Sequence, residues 1–324
     1  MNILKSFVSS FIYPLQVLLL KQSSFESNIF IIGYHRVIEK QPNCKQHGLV
    51  VDPDIFRMHI KFLKHHFLPI NSLDLLDLLS KRKTCHQPQC LVTFDDGWQD
   101  VYQNAFPILK EFSVPAIVYL PTNFINTTRW FWTDLLEEML NSSLSHRIQF
   151  GGSPHFSKES GFTFEQSIEY MKHLSVFDRD NVLNELARNS DFKISSLGRR
   201  FLNWEEINIM KKSGIIEFGS HTANHNILTN LSKKEIDEEL LTSYEELISR
   251  KIADANAISF SYPNGNFNKA ISDQVRRANY KYAVTTARGY NSGNENWFQL
   301  KRALLHGDIA GNKHLLLSRM GGLF

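Results

Sequence analysis

Thr93-Phe94-Asp95-Asp96-Gly97-Trp98-Gln99-Asp100 is the stretch around which the whole chain can be read. The apolar pair Leu91-Val92 just before it ends a buried strand, and the two aspartates fall where that strand runs out into a loop. In α/β sheets and barrels, ligands collect at the carboxyl ends of the strands. Two neighbouring carboxylates in such a place repel each other unless a cation or a shared proton separates them. The pair therefore asks for a metal ion.

Candidate partners stand far downstream, in Phe218-Gly219-Ser220-His221-Thr222-Ala223-Asn224-His225, which also follows a strand-like run, Ile215-Ile216-Glu217-Phe218. The i, i+4 spacing of His221 and His225 predicts two imidazoles on one face of a single helical turn, near enough to hold one ion. With one aspartate they make a two-histidine, one-carboxylate site that keeps coordination positions open for water and substrate. The other aspartate stays free to act as a base. Aspartate pairs and spaced histidines are each common by chance. Their joint placement after strands, beside Gly, Ser and Thr, carries the reading.

With these residues in place, TFDDGWQD and HTANH resemble the first two motifs of the polysaccharide deacetylase family, the NodB-like carbohydrate esterases of the family 4 type. Ile32-Gly33-Tyr34-His35-Arg36-Val37 is similar to that family's opening strand. Ser259-Phe260-Ser261-Tyr262-Pro263-Asn264-Gly265 resembles its third motif, and Tyr280-Lys281-Tyr282-Ala283-Val284-Thr285-Thr286 a late strand. The similarity runs from about residue 29 to about residue 310. It implies a hydrolase of carbon–nitrogen bonds that removes the N-acetyl group of a sugar in a polysaccharide or lipid-linked glycan. Two alternatives stand beside it: a C–N hydrolase of small amides or imides, and a non-catalytic glycan-binding relative.

The resemblance implies Asp96, His221 and His225 as metal ligands, with zinc the best match to two imidazoles and a carboxylate. The metal would polarise the acetyl carbonyl and acidify a water, whose proton Asp95 would take. A backbone N–H near Asn264-Gly265 would help hold the oxyanion, and Asn264, Tyr262 and Trp98 are assigned to substrate or oxyanion contact. His306, in Leu304-Leu305-His306-Gly307-Asp308, resembles the family's late acid histidine. His35, which ends the opening strand and would sit beside Asp95, is the rival; both are kept as catalytic candidates. One departure matters. The family's third motif carries an arginine that pairs with the catalytic aspartate and a tyrosine before the glycine, where this chain has Ser261 and Asn264. Either His35 or Arg302 would have to keep Asp95 ionised instead.

Composition sets the outer bounds. A chain of 324 residues, 42% hydrophobic and 21% charged, buries a sizeable core and fits one large domain with an insertion. A net charge of +3 gives no argument for nucleic acid. Cys44, Cys85 and Cys90 do not make a disulfide framework, and Cys85-His86 with Cys90 reads as free thiols in a loop. Residues 1–27 form an amphipathic N-terminal segment, with Ile3, Leu4, Phe7, Val8, Phe11, Ile12, Leu15, Leu18 and Leu19 at helical spacing and Pro14 as a kink. It is too interrupted for a membrane span and shows no small-x-small cleavage site. A helix packed on the domain, or residues 1–20 lying in a membrane interface, are the two readings. A cytoplasmic or membrane-peripheral protein is expected before a secreted one.

From residue 28 to residue 324 the pattern is one catalytic domain of alternating strands and helices. Asp52-Pro53 starts a helix with a cap and a proline at its first position, whose His59 reads as a surface residue together with His65 and His66. Ser232-Lys233-Lys234-Glu235 is a capping box. Alternating units of this length imply parallel strands with right-handed crossovers. The fold class is α/β, a (β/α) barrel, and the resemblance implies the distorted seven- or eight-stranded form. Between about residues 123 and 200 the alternation stops, giving a mainly helical insertion on the catalytic face. Its Trp130-Phe131-Trp132 either lines a sugar-binding wall or forms the small core that ties the insertion together.

Overall fold

The computed structural model describes residues 8–9, 28–40, 46–81, 87–141, 164–189 and 192–321. All but two residues of the N-terminal amphipathic segment, together with Cys44 and Cys85, lie outside that set. The chain divides into two compact units. One is built from Gln46–Asn126 and Phe201–Phe324 with the residues up to Lys40, the other from Thr127–Arg200.

The first unit is a curled parallel sheet. Its strands in chain order are β1 (Ile29–Tyr34), the short β2 (Arg36–Val37) and β3 (Val50–Val51), which pair only with each other, then β4 (Leu68–Pro69), β5 (Gln89–Phe94) and β6 (Ala116–Leu120). After these come β7 (Ile216–Ser220), β8 (Ser259–Ser261), β9 (Tyr282–Val284) and β10 (Ala303–Leu304). The order across the main sheet is β10-β1-β5-β6-β7-β8-β9, with β4 also beside β5, and every pairing is parallel. IFIIGY of β1 and QCLVTF of β5 are buried at every position, as strands covered on both faces require. This is the expected distorted (β/α) barrel, with an unusual seam. Leu300 bonds the backbone of Ala283 and Thr285 beside β9, and three residues later the same segment becomes β10 and pairs with β1 at Ile32 and Gly33.

The barrel interior is filled by Ile31, Leu91, Ile117, Tyr119, Tyr282, Val284 and Leu300, closed by Leu75 and Leu79 of the Ser72–Leu79 helix. Register fixes what emerges from the sheet. Phe94 pairs with Val118, and Leu120 with Ser220, so Asp95-Asp96 and His221 leave the sheet at the same ends of β5 and β7, which flank β6. The helices begin where their side chains can replace missing backbone partners. Asp52 caps the Pro53–His66 helix, and Asn71, Asn203 and Ser232 each form a reciprocal capping box. None of the described helices is long and apolar enough to cross a membrane.

The Thr127–Arg200 unit has its own core of Leu136, Met139, Met171, Leu183, Leu186 and Ala187, built by helices Trp132–Asn141, Phe164–Lys172 and Val176–Asn189. The aromatic trio belongs to this packing. Phe131 is buried, Trp132 lies against the core under Arg179, and Trp130 donates to the Gly198 carbonyl beneath the Arg200 guanidinium.

Two expectations are corrected. Cys90 is not a loop thiol: it is buried in β5, and burial pushes its pKa above the ordinary thiol range. His59 is not a surface residue but is fully buried on the inner face of its helix. Its Nε2–H donates to the Ala310 carbonyl at 2.6 Å, so Nδ1 accepts from the Tyr34 hydroxyl at 3.1 Å. The ring is held neutral, with burial lowering its pKa to about 4 from 6.5. A folded-state pKa below the unfolded one means that stability is complete above the unfolded pKa and is lost as pH falls from about 6.5 through about 4. His59→Gln, which cannot be protonated, should therefore lose less stability than wild type over that window, by up to roughly 3 kcal/mol. Urea unfolding at pH 7, 5.5 and 4 measures the difference, and parallel pH profiles of the two proteins would refute it.

Candidate active site

The two aspartates begin where β5 ends. The Asp95 N–H still bonds the Tyr34 carbonyl at 2.9 Å, extending the β1–β5 ladder by one residue. Asp96 and Gly97 then both take left-handed backbone angles, with φ of 71° and 64°. Asp is one of the few side chains that tolerates this region, and Gly the residue that adopts it freely. A Cβ on Gly97 would also meet Leu120 Cδ2 at 2.8 Å. The double turn sends the two carboxylates in different directions.

His221 and His225 come together, but not on a helical turn. The His221 N–H bonds the Leu120 carbonyl at the end of β7, and residues 221–227 form a loop. Thr222 and His225 have φ of 67° and 56°. What holds this conformation is Glu239, a buried carboxylate in the Lys233–Ser249 helix. Its Oε2 accepts the backbone N–H groups of Ala223 and Asn224 at 2.9 and 2.7 Å. Its Oε1 accepts the side-chain amides of Asn224 and Asn226 at 3.0 and 2.8 Å. The Thr222 hydroxyl oxygen accepts the His225 N–H at 2.8 Å. Glu239 escaped the sequence reading. Its signal was a carboxylate on the apolar stripe of Ile236, Leu240 and Leu247, where an acidic residue needs a partner.

The result is a cluster in which one ligand atom each from Asp96, His221 and His225 lies within 4.8 Å of the others. The Nε2 atoms of His225 and His221 stand 3.2 and 3.4 Å from Asp96 Oδ1. That oxygen is buried and accepts no hydrogen bond among the described residues. His221 Nδ1 lies 2.7 Å from the Ser261 carbonyl, which can only accept, so Nδ1 carries a proton and Nε2 is the ring atom turned towards Asp96. Three electron-rich atoms converge, which is the donor set a divalent cation fits. Burial pushes Asp96 up, yet the two imidazoles hold it well below the carboxylate range. Burial pulls His221 down, but Asp95 and Asp96 outweigh it and raise it; for His225 burial wins and lowers it.

Asp95 is held by Arg302. The guanidinium donates from Nη1 to Oδ1 and from Nη2 to Oδ2, both at 2.7 Å, and is itself fully buried. It also donates to the Ser261 and Thr93 hydroxyls and to the Thr285 carbonyl. Burial pushes Asp95 up, but Arg302, together with the nearby His221 and His35, more than offsets it and leaves the carboxyl below its usual range. Of the two substitutes for the missing motif arginine, Arg302 makes the bidentate pair, while His35 Nε2 stands 3.9 Å from Asp95 Oδ2. His306 is half-buried with Nδ1 unpartnered among the described residues, and burial lowers its pKa. His35 is close enough to lower it further by charge repulsion.

Two side chains assigned to substrate or oxyanion contact are buried. Tyr262 is 1% exposed, donates to the Phe298 carbonyl at 2.9 Å and stacks on Phe267. Trp98 is also 1% exposed, stacked on Phe201, and its indole N–H donates to Asp96 Oδ2 at 3.0 Å. Both positions follow strands buried on both faces, so the pattern gave no outward direction. Asn264 is exposed in a left-handed turn with φ of 56°. Of the two amides expected to serve the oxyanion, that of Gly265 is already bonded to the Tyr262 carbonyl.

The chain is similar to proteins already known. The poly-β-1,6-N-acetyl-D-glucosamine N-deacetylase of Staphylococcus epidermidis is 26% identical over 222 residues, covering 60% of this chain and 73% of that protein. The solved deacetylase PplD of Streptococcus pyogenes superposes with a TM-score of 0.62 at 21% identity, over 91% of this chain and 99% of that one. IcaB from Ammonifex degensii does so at 0.58 and 16% identity, over 90% and 97%. Residues 82–283 match the polysaccharide deacetylase family across more than half of the chain, and the protein belongs to that family.

Proposed function

We propose that this deacetylase is metal-dependent and hydrolyses the acetamido group of N-acetylglucosamine units in a polysaccharide. The observation that carries the metal reading is the unbonded Asp96 Oδ1 facing two imidazole Nε2 atoms, next to a second carboxylate fixed by an arginine. The sugar rests on the S. epidermidis relative, whose name states that polymer. Asp96, His221 and His225 would hold the cation, with zinc the best match to that donor set. When bound, it supplies Lewis acidity to the acetyl carbonyl and makes a water acidic enough to be deprotonated near neutral pH.

The rest is the work of this chain's own groups. Asp95 takes the proton of the attacking water, and Arg302 keeps that carboxylate ionised and in one orientation. The Asn264 N–H is the amide of the Asn264-Gly265 pair that serves the oxyanion, because the Gly265 amide is spent. His306, half-buried with its Nδ1 unpartnered among the described residues, delivers a proton to the departing amine, with His35, 3.9 Å from Asp95, as the second candidate. Glu239 fixes the loop that presents both imidazoles.

Asp95→Asn is expected to keep its metal while acetate release from N-acetylglucosamine oligomers falls ~10²–10⁴-fold, and His221→Ala to lose metal and activity together. Metal analysis of the purified variants beside an acetate assay reads both. Undiminished release by Asp95→Asn would remove that residue from its role. Glu239→Ala leaves four N–H groups without their acceptor and should cost about 2–4 kcal/mol in urea unfolding. Glu238→Ala, which breaks only an exposed pair with Lys234, should cost under about 0.5 kcal/mol.

A further inference from the structure

Asp96 has two oxygens with different surroundings. Oδ1 faces the imidazoles and accepts no hydrogen bond, whereas Oδ2 takes the Trp98 indole N–H at 3.0 Å. We propose that Trp98, set by Arg36 and Asp100, is a positioning residue that reserves Oδ2 and so makes Asp96 a one-oxygen ligand. The inference rests on the reading of Asp96 as a metal ligand and adds how the ligand is presented. A carboxylate that binds through both oxygens takes two coordination positions. Held to one, it leaves an extra position for water and substrate beside the two imidazoles.

The indole is built to do this. The left-handed pair Asp96-Gly97 folds the chain back so that a side chain only two residues on reaches the carboxylate. Phe201 stacks on the ring, with centroids 4.7 Å apart and planes at 25°, and the Leu202 N–H bonds the Gly97 carbonyl beside it. The Arg36 guanidinium lies over the ring, 4.4 Å from its centroid. A cation on the face of an indole draws electron density from the ring and makes its N–H a stronger donor. Arg36 is kept there by Asp100, whose Oδ2 accepts its Nε–H at 2.9 Å and whose Oδ1 accepts the Val37 N–H at 2.8 Å. Asp100 is 4% exposed, so this is a buried partner and not a passing surface contact. The second half of TFDDGWQD thus acts on the first. A positive charge on the segment after β1 reaches the carboxylate through an aromatic ring. Packing alone would account for the stacking but not for an N–H aimed at a ligand oxygen.

Cobalt(II) titration of the full-length protein, followed by visible absorption and by competition with a chelator, separates the two roles. Trp98→Phe keeps an aromatic ring and loses the donor. It is expected to weaken cobalt binding 10- to 100-fold. Its absorption band should also lose intensity as Asp96 adds its second oxygen and the coordination number rises. Arg36→Met, at a half-buried position, should weaken binding roughly 2- to 5-fold in the same direction. Phe124→Leu, which disturbs the edge-on packing of Phe201 and removes neither the indole donor nor a ligand, should lower the thermal midpoint and leave the cobalt spectrum as in wild type. Wild-type cobalt affinity and spectrum in Trp98→Phe would overturn the proposal. If that variant does not fold, unchanged affinity in Arg36→Met overturns it instead. A wild-type protein that takes up no cobalt would instead sink the reading of Asp96 as a ligand.

Discussion

Two carboxylates on consecutive residues, both buried at the end of a strand, are the constraint that the rest of the site answers. An ion that leaves water for the interior costs several kcal/mol even after relaxation, and a like charge beside it adds to that cost. The fold meets the difficulty by giving each carboxylate a different set of partners. Asp95 receives a guanidinium that matches both of its oxygens; Asp96 receives two imidazoles and an indole N–H. The left-handed turn at Asp96 makes the division possible, because an extended backbone would alternate the two side chains across the sheet with no control over their approach. Chemical division of labour follows from this separation. In the mechanism proposed above, the carboxylate saturated by hydrogen bonds from one buried cation is the fixed base, and the one with an unbonded oxygen is the ligand of the ion.

The same constraint ties the site to the closure of the barrel. Arg302 sits between Leu300, which bonds the backbone beside β9, and Ala303, the first residue of β10 and partner of β1. The segment that seals the sheet therefore carries the charge that stabilises Asp95. Loss of the pair would leave a buried carboxylate and a buried guanidinium both uncompensated, and loss of the seam would withdraw the guanidinium. Barrel closure and the charge state of Asp95 are coupled through a single residue.

Much of this was legible in the chain before any coordinates. The strand ends, the capping residues Asp52 and Ser232, and the convergence of Asp96 with His221 and His225 followed from hydrophobic runs and from what stands at their carboxyl ends. The failures have physical causes. An i, i+4 spacing is compatible with a helical turn and equally with a loop containing two left-handed residues; the choice was made by Glu239, which lies on another element. Trp98 and Tyr262 turned inward because parallel strands covered on both faces leave no alternation to read. His59 looked like a surface histidine because it is a polar residue and nothing in its own segment, between Met58 and Ile60, marks a partner for a buried imidazole. Its burial depends on partners from Tyr34 and Ala310 that only tertiary contact supplies.

The relocated arginine shows how such a change can be accommodated. Where the family's third motif carries its arginine, Ser261 is small enough to leave the space open, and its hydroxyl accepts from the Arg302 Nη2 that enters it. On the other side stands Gly33 of β1. A Cβ there would fall against Leu304 Cδ2 and 3.1 Å from Arg302 Cδ, so a larger residue would require the Leu304 side chain and the arginine stem to shift. Neither residue touches Asp95, yet both are conditions for its partner. A guanidinium delivered from the barrel seam thus lies between the Ser261 hydroxyl, to which it donates, and Gly33 beside its own stem, so the three positions belong to one packing arrangement.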